Sequence, residues 1–284
     1  LALAHDEVLN QLGLIVVDEG QFLADPQRGS TVELLLTYLR AKEKGKTSPQ
    51  ILVLSAVVGD LNGLDKWLSA GALLTERRPV ELVEGVLDRS GAMLHRDPDG
   101  NLQRLQLVPQ GQIFVRKKKP GSQDVIIPLV RALVAQGEQI IIFRNTRGKA
   151  EGCASYLARE LGLEAAAGAV ERLPQQDMTS TQRKLRECLH GGVAFHNANL
   201  RRQERGVVEA AFREQDSKVR VLVTTSTLAA GVNTPADTVI VVEREFLGGG
   251  RRPYGVGEYK NMAGRAGRLG YAKSGRAILL AENP

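Results

Sequence analysis

The chain has 284 residues, 43% of them apolar and 25% charged, with 38 Lys and Arg against 32 Asp and Glu and a net charge of +6. That balance is typical of a folded globular chain and excludes a disordered or collagen-like one, while the length suits one large domain or two ordinary ones. Residues 1–78 hold 8 basic and 10 acidic side chains, a net of −2, whereas residues 79–284 hold 30 and 22, a net of +8; a basic part beside a slightly acidic one fits a polyanion partner or an ordinary soluble surface about equally.

In chain order the pattern is strand, loop, helix, repeated. Leu14–Val17 is a short apolar run ending in Asp18 and Glu19. Residues 31–40 have helical spacing, with Val32, Leu35, Leu36 and Leu39 on one face. Ile51–Leu54 is a second apolar run, ending at Ser55, and residues 61–68 read as a helix. Short continuous apolar runs alternating with helices predict buried parallel strands in an α/β sheet.

After Pro79 a strand is expected over residues 80–86, then a hairpin of 93–96 and 102–107 around the turn DPDGN. The basic run at 116–121 reads as a solvated loop in preference to a phosphate contact. The α/β pattern then resumes. Helices are expected at 125–134, 150–161, 201–213 and 262–268, and strands at 139–143, 193–195, 220–223, 239–242 and 276–280.

Two cysteines, Cys153 and Cys188, exclude a disulfide framework and lack the paired spacing of a zinc site, so a reduced setting is expected. No stretch reaches the roughly 18 to 20 apolar residues of a membrane span. The opening LALAHDEVLNQLG lacks the basic head and apolar run of a signal peptide. It also lacks an initiator Met, so the chain is expected to begin inside a longer protein.

Four polar clusters are expected just after apolar strands: Asp18–Glu19, Ser55, Thr225, and Arg265 with Arg268. Strand C-terminal ends are where open α/β sheets place ligands. Two adjacent carboxylates after a strand can hold Mg2+ through water and activate an attacking water, or merely end a strand. NMAGRAGR at 261–268 is expected to put two guanidinium groups on one helical face, suited to a phosphate chain; its interleaved glycines cost helix propensity and call for a reason. The hydroxyl-rich segment after residue 223 suits phosphate contact or a packed turn. Gly45, Lys46 and Thr47 resemble the end of a phosphate-binding GxxxxGKT loop, but the first glycine would fall on Arg40 and the tripeptide follows a helix, so no such loop is present.

Together these clusters resemble, in order, the motifs of superfamily 2 helicases, and above all the Ski-type branch of archaeal DNA-repair and RNA-processing helicases. The stretches that carry the likeness are VVDEGQ, LVLSAVVGDLNGLDKWLSA, VAFHNANLRRQERGVVEAAFRE, VLVTTSTLAAGVNTPADTVIV and EYKNMAGRAGRLGY. The resemblance implies RecA-like α/β domains with ATP bound between them. Residues 1–78 would be the C-terminal part of a first domain and 79–284 a complete second domain. It implies a fragment lacking the P-loop, inactive on its own, of an ATP- and Mg2+-dependent helicase or translocase that tracks DNA or RNA 3′ to 5′. It also implies a cytoplasmic, nucleoid or nuclear setting.

By the same likeness, Asp18 and Glu19 would serve the metal and the hydrolytic water, and Gln21 would link them to Ser55. Gly231 and Asn233 would line the nucleotide side. Asn261, Arg265 and Arg268 would face the phosphates, and Asn145, Arg147 and Thr225 would contact the nucleic-acid backbone. The sequence departs from the family pattern in places: DEGQ stands for DEVH or DEAH, Val57 for Thr, and Asn261 for Gln. FHNANL stands for FHHAGL, keeping His196 but not its neighbour. A non-catalytic nucleic-acid-binding module and the motor subunit of a restriction or phage-defence system are the alternative readings.

Overall fold

A computed structural model describes residues 12–20, 23, 29–41, 49–55, 63–75, 78, 80–116, 120–176, 178–214, 218–225, 236–246, 252–267 and 274–281. The chain divides into two compact units, Leu1–Arg77 and Arg78–Pro284. In the first, β1 (Leu14–Val17) pairs in parallel with β2 (Gln50–Val53), placing Val17 opposite Val53. Helices α1 (Gly29–Ala41) and α2 (Leu64–Leu68) accompany them, and Leu36, Leu39 and Leu68 are buried. Residues 45–47, the rejected phosphate loop, lie outside the described residues.

The second unit is built on an eight-stranded sheet of β3 (Glu81–Leu87), β4 (Ala92–Arg96), β5 (Leu102–Gln106), β6 (Ile140–Arg144), β7 (Val193–His196), β8 (Val221–Thr225), β9 (Thr238–Val241) and β12 (Ser274–Leu280). A separate short antiparallel pair, β10 (Glu245–Phe246) and β11 (Arg252–Pro253), lies between β9 and β12 in sequence. The order across the large sheet is β5-β4-β3-β12-β9-β6-β8-β7. From β3 to β7 all neighbours are parallel, and only the β3–β4–β5 edge is antiparallel. Every residue of β6, β7, β8 and β9 is buried. Strands covered on both faces must be apolar throughout, which is why they read as continuous runs and not as alternations.

Flanking helices close the core: α3 (Ser122–Ala135), α4 (Arg147–Glu160), α5 (Ala167–Arg172), α6 (Ser180–Leu189), α7 (Arg202–Arg213) and α8 (Val256–Ala263). Thr146 caps α4, its hydroxyl accepting from the Lys149 amide, and Thr179 does the same for α6 with Gln182. Asp124 caps α3 by accepting from the Gly121 amide at 2.8 Å, and its other oxygen takes the Arg116 amide at 3.0 Å. Arg116 itself packs over the Phe114 ring at 4.5 Å and is not the solvated loop cation that composition suggested; Lys117, Lys118 and Lys119 are outside the described residues.

One expected element is displaced. The helix expected at 262–268 is instead Val256–Ala263, and the chain turns at Gly264. Gly267 adopts φ +64°, and a Cβ there would lie 2.6 Å from the Gly275 backbone. The glycines of this stretch therefore end the helix and let two backbones touch.

Candidate functional site

In the first unit the two carboxylates follow β1 directly. The Asp18 carboxylate accepts from the Glu19 amide at 2.8 Å, and Glu19 adopts φ +55°, a left-handed conformation that costs a non-glycine residue about 1 kcal/mol or more. The Gly20 amide then donates to Leu54 O at 2.8 Å. A Cβ on Gly20 would lie 2.5 Å from Val53 Cγ1 and 3.7 Å from Ser55 Cβ, so the turn closes tightly over the end of β2. Asp18, Glu19 and Ser55 are thus brought side by side; Gln21 is outside the described residues. No group of three or more His, Cys, Asp or Glu suited to a metal occurs among the described residues. A hard cation that keeps most of its waters needs only one or two carboxylates besides a phosphate, so the donor chemistry here fits Mg2+.

In the second unit a polar array covers the exits of four adjacent strands. Arg144 is the register partner of Thr225, so Asn145 and Thr225 lie next to each other where β6 and β8 end. Arg147 opens α4 two residues later and is exposed. Glu243, just past β9, accepts from Arg144 Nη2 at 2.8 Å and from the Asn145 amide at 3.1 Å, and forms an ion pair with Lys149 Nζ at 3.2 Å. Burial works against the charge on Arg144, but the Glu243 carboxylate outweighs it and raises the guanidinium pKa.

Arg147 Nη1 donates to Asn199 Oδ1 at 3.0 Å, in the loop after β7. At the end of β7, His196 lies 2.8 Å from Glu209 through Nε2, while its buried Nδ1 has no hydrogen-bond partner among the described residues. Burial lowers the His196 pKa, and the Glu209 carboxylate only partly offsets this. A neutral ring with its proton on Nε2 accounts for both nitrogens.

Arg265 sits elsewhere. It follows helix α8, not a strand, and is only 4% exposed. Its carbonyl accepts from the Ala236 amide at 3.1 Å, and Ala266 bridges to Ala236 at the entry end of β9. Arg78 Nη2 reaches the carbonyls on either side, Ala266 at 3.2 Å and Gly264 at 3.4 Å. The structure therefore separates Arg265 from Asn145, Arg147 and Thr225, which stand at strand exits. Asn261 is half-buried on α8, two residues before the helix ends. Arg268, Gly231 and Asn233 are outside the described residues; Arg265, expected on a helix, already lies past the end of α8.

Residues 123–270, more than half the chain, match the helicase conserved C-terminal domain. The chain belongs to the superfamily 2 helicases. It is 35% identical, over 97% of its length, to proteins named ATP-dependent DNA helicase Hel308 from Methanocella arvoryzae and from Pyrobaculum calidifontis, of which it covers 35% and 37%. The chain thus spans about a third of the length of these curated relatives. The parallel sheet with its flanking helices is the RecA-like α/β fold of the helicase family. No helix among the described residues is long and apolar enough to cross a membrane.

Sequence reasoning overlooked Glu243 and Glu151, the carboxylates that organise this polar array. Glu243 had a legible signal, since it follows the apolar run VIVV as Asp18 follows LIVV. Glu151 had none, because it lies inside a polar helix.

Proposed function

We propose that this chain is motor machinery of an ATP-dependent DNA helicase that moves 3′ to 5′ on a nucleic-acid strand. The observation that carries the reading is the match to the conserved helicase domain, together with the polar array on adjacent strand exits. The names of the relatives favour DNA over RNA. Bound Mg2+ with ATP would supply charge neutralisation at the phosphates. Asp18 would hold the metal through water, Glu19 would orient the attacking water, and Gln21 would tie them to Ser55. Gly231 and Asn233 would line the nucleotide, with Asn261, Arg265 and Arg268 directed at its phosphates. Asn145, Arg147 and Thr225 would grip backbone phosphates, a contact that tolerates any sequence and weakens with salt.

The test is nucleic-acid-stimulated ATP hydrolysis by the intact protein that contains this chain. Arg268→Ala is expected to lower turnover by roughly 10³-fold or more, the magnitude of a lost arginine finger. Arg265→Lys, which keeps the charge in a buried position, should lose most of that activity while remaining folded. Unchanged turnover in Arg268→Ala overturns the proposed role. Strand displacement on DNA and RNA duplexes with 3′ or 5′ tails then reads substrate and direction.

A further inference from the structure

Two departures from the family pattern occur together and meet at one atom. In FHNANL, Asn197 and Asn199 stand where FHHAGL has His and Gly. Both side chains donate through Nδ2 to Oε1 of Glu151, each at 3.1 Å. Glu151 is 8% exposed, and Lys184 Nζ lies 3.3 Å from its other oxygen. Burial alone would raise the Glu151 pKa, but the two amides and Lys184 bring it below the ordinary value, so the carboxylate is ionised. A buried carboxylate is tolerated when its lone pairs are filled in this way.

The amides are oriented at both ends. With Nδ2 facing Glu151, each Oδ1 must face a donor. Asn197 Oδ1 accepts from the backbone N–H of Asn199 at 2.9 Å, and Asn199 Oδ1 accepts from Arg147 Nη1 at 3.0 Å. Arg147 is otherwise an exposed, flexible side chain on the first turn of α4. Glu151 stands four residues further along the same helix, on the same face. A guanidinium has five N–H donors; the Asn199 contact uses one and orients the rest. Glycine at 199 could not make this link.

We propose that Glu151, Asn197 and Asn199 form a positioning unit that holds the Arg147 guanidinium ready for a backbone phosphate. The inference rests on the nucleic-acid reading of Arg147 given above. None of the three residues need touch the strand. Their effect is to remove, before binding, the side-chain freedom that Arg147 would lose on contact.

The experiment is a double-mutant cycle in the intact protein, with affinity for a labelled oligothymidylate measured across a salt series. Arg147→Ala should weaken binding and lower the salt slope by about 0.7, the value for one single-strand phosphate contact. Asn199→Ala should weaken binding about three- to tenfold, the cost of re-ordering one rotamer-rich side chain, with the slope unchanged because the charge remains. The double variant should bind as Arg147→Ala alone does, since positioning has no value without the positioned group. Asn199→Gly, in an exposed loop, removes the same link and should reproduce Asn199→Ala. A purely structural role predicts additive losses instead. Unchanged affinity in both Asn199 variants, or additivity, overturns the inference and leaves the Arg147 contact standing. Unchanged affinity and slope in Arg147→Ala overturns that contact, and the inference with it.

Discussion

Substituting Gly275 by Ala tests how the turn that carries Arg265 is held. A Cβ on Gly275 would sit 2.5 Å from the Gly267 amide nitrogen, 2.6 Å from Gly267 Cα and 2.7 Å from the Ala266 carbonyl carbon. All three are backbone atoms, so no side chain can swing away to make room. Gly275 itself is fixed in β12, whose register pairs it with Leu82 of β3 and pairs Arg276 with Thr238 of β9. Overpacking a full site costs about 1–3 kcal/mol, and rigid neighbours on both sides place this one near 3 kcal/mol. For a unit of this size each kcal/mol lowers the melting temperature by about 2–4 °C, so a loss of roughly 6–12 °C is expected by scanning calorimetry. Gly206→Ala is the control: it lies on the exposed face of α7 with no atom of the described residues within 4 Å of an added Cβ, and should stabilise by about 1 kcal/mol through helix propensity. A Gly275→Ala protein as stable as the parent would refute the close approach of the two backbones.

Two further outcomes follow from buried titratable groups. His196 is neutral in the folded chain with its pKa lowered from 6.5, so the unfolded chain binds the extra proton and stability should decline as pH falls through about 6.5 towards the folded value. Glu151, lowered from 4.5, contributes stability above about pH 4.5 that is lost as pH falls through its folded value. Urea midpoints across this range should show both declines, the upper one absent in His196→Gln; a flat profile contradicts the assignment. Burial also pushes the Cys153 thiol up, although Arg144 opposes this, and pushes Cys188 to about 11. Because the thiolate is the reactive form, both should label with thiol reagents only as fast as the chain opens. Rapid labelling of the native protein would show that the two sulfurs are accessible.

Strands β6 and β8 were legible because burial on both faces makes IIIF and VLV continuous apolar runs, which need no partner to be recognised. Helix α6 was not, since Leu185, Cys188 and Leu189 are its buried apolar residues and the buried Gln182 reads as polar. The start of α8 was hidden for the same reason: Val256 is 75% exposed, so its first turn has no apolar stripe to declare it. At the site, Asp18, Glu19 and Ser55 announced themselves by following apolar runs. The pairing of Arg144 with Glu243 did not, because it joins residues 99 positions apart that only the sheet order β9-β6 brings together. Charges read singly from a sequence look like surface; here the same charges are partners across strand ends.

Strand β12 has a consequence for how the sheet can be assembled. It lies between β3 and β9, so residues 274–280 join two groups of strands that, among the described residues, do not pair with each other: β5-β4-β3 on one side and β9-β6-β8-β7 on the other. Before β12 arrives, β3 and β9 each present an open parallel edge. Pairings of such long sequence separation form late and leave strand edges exposed to other chains meanwhile. Synthesis of residues 81–241 can therefore yield two partial sheets but no closed one, and the interval before Ser274 emerges is when this chain is most exposed to misassembly.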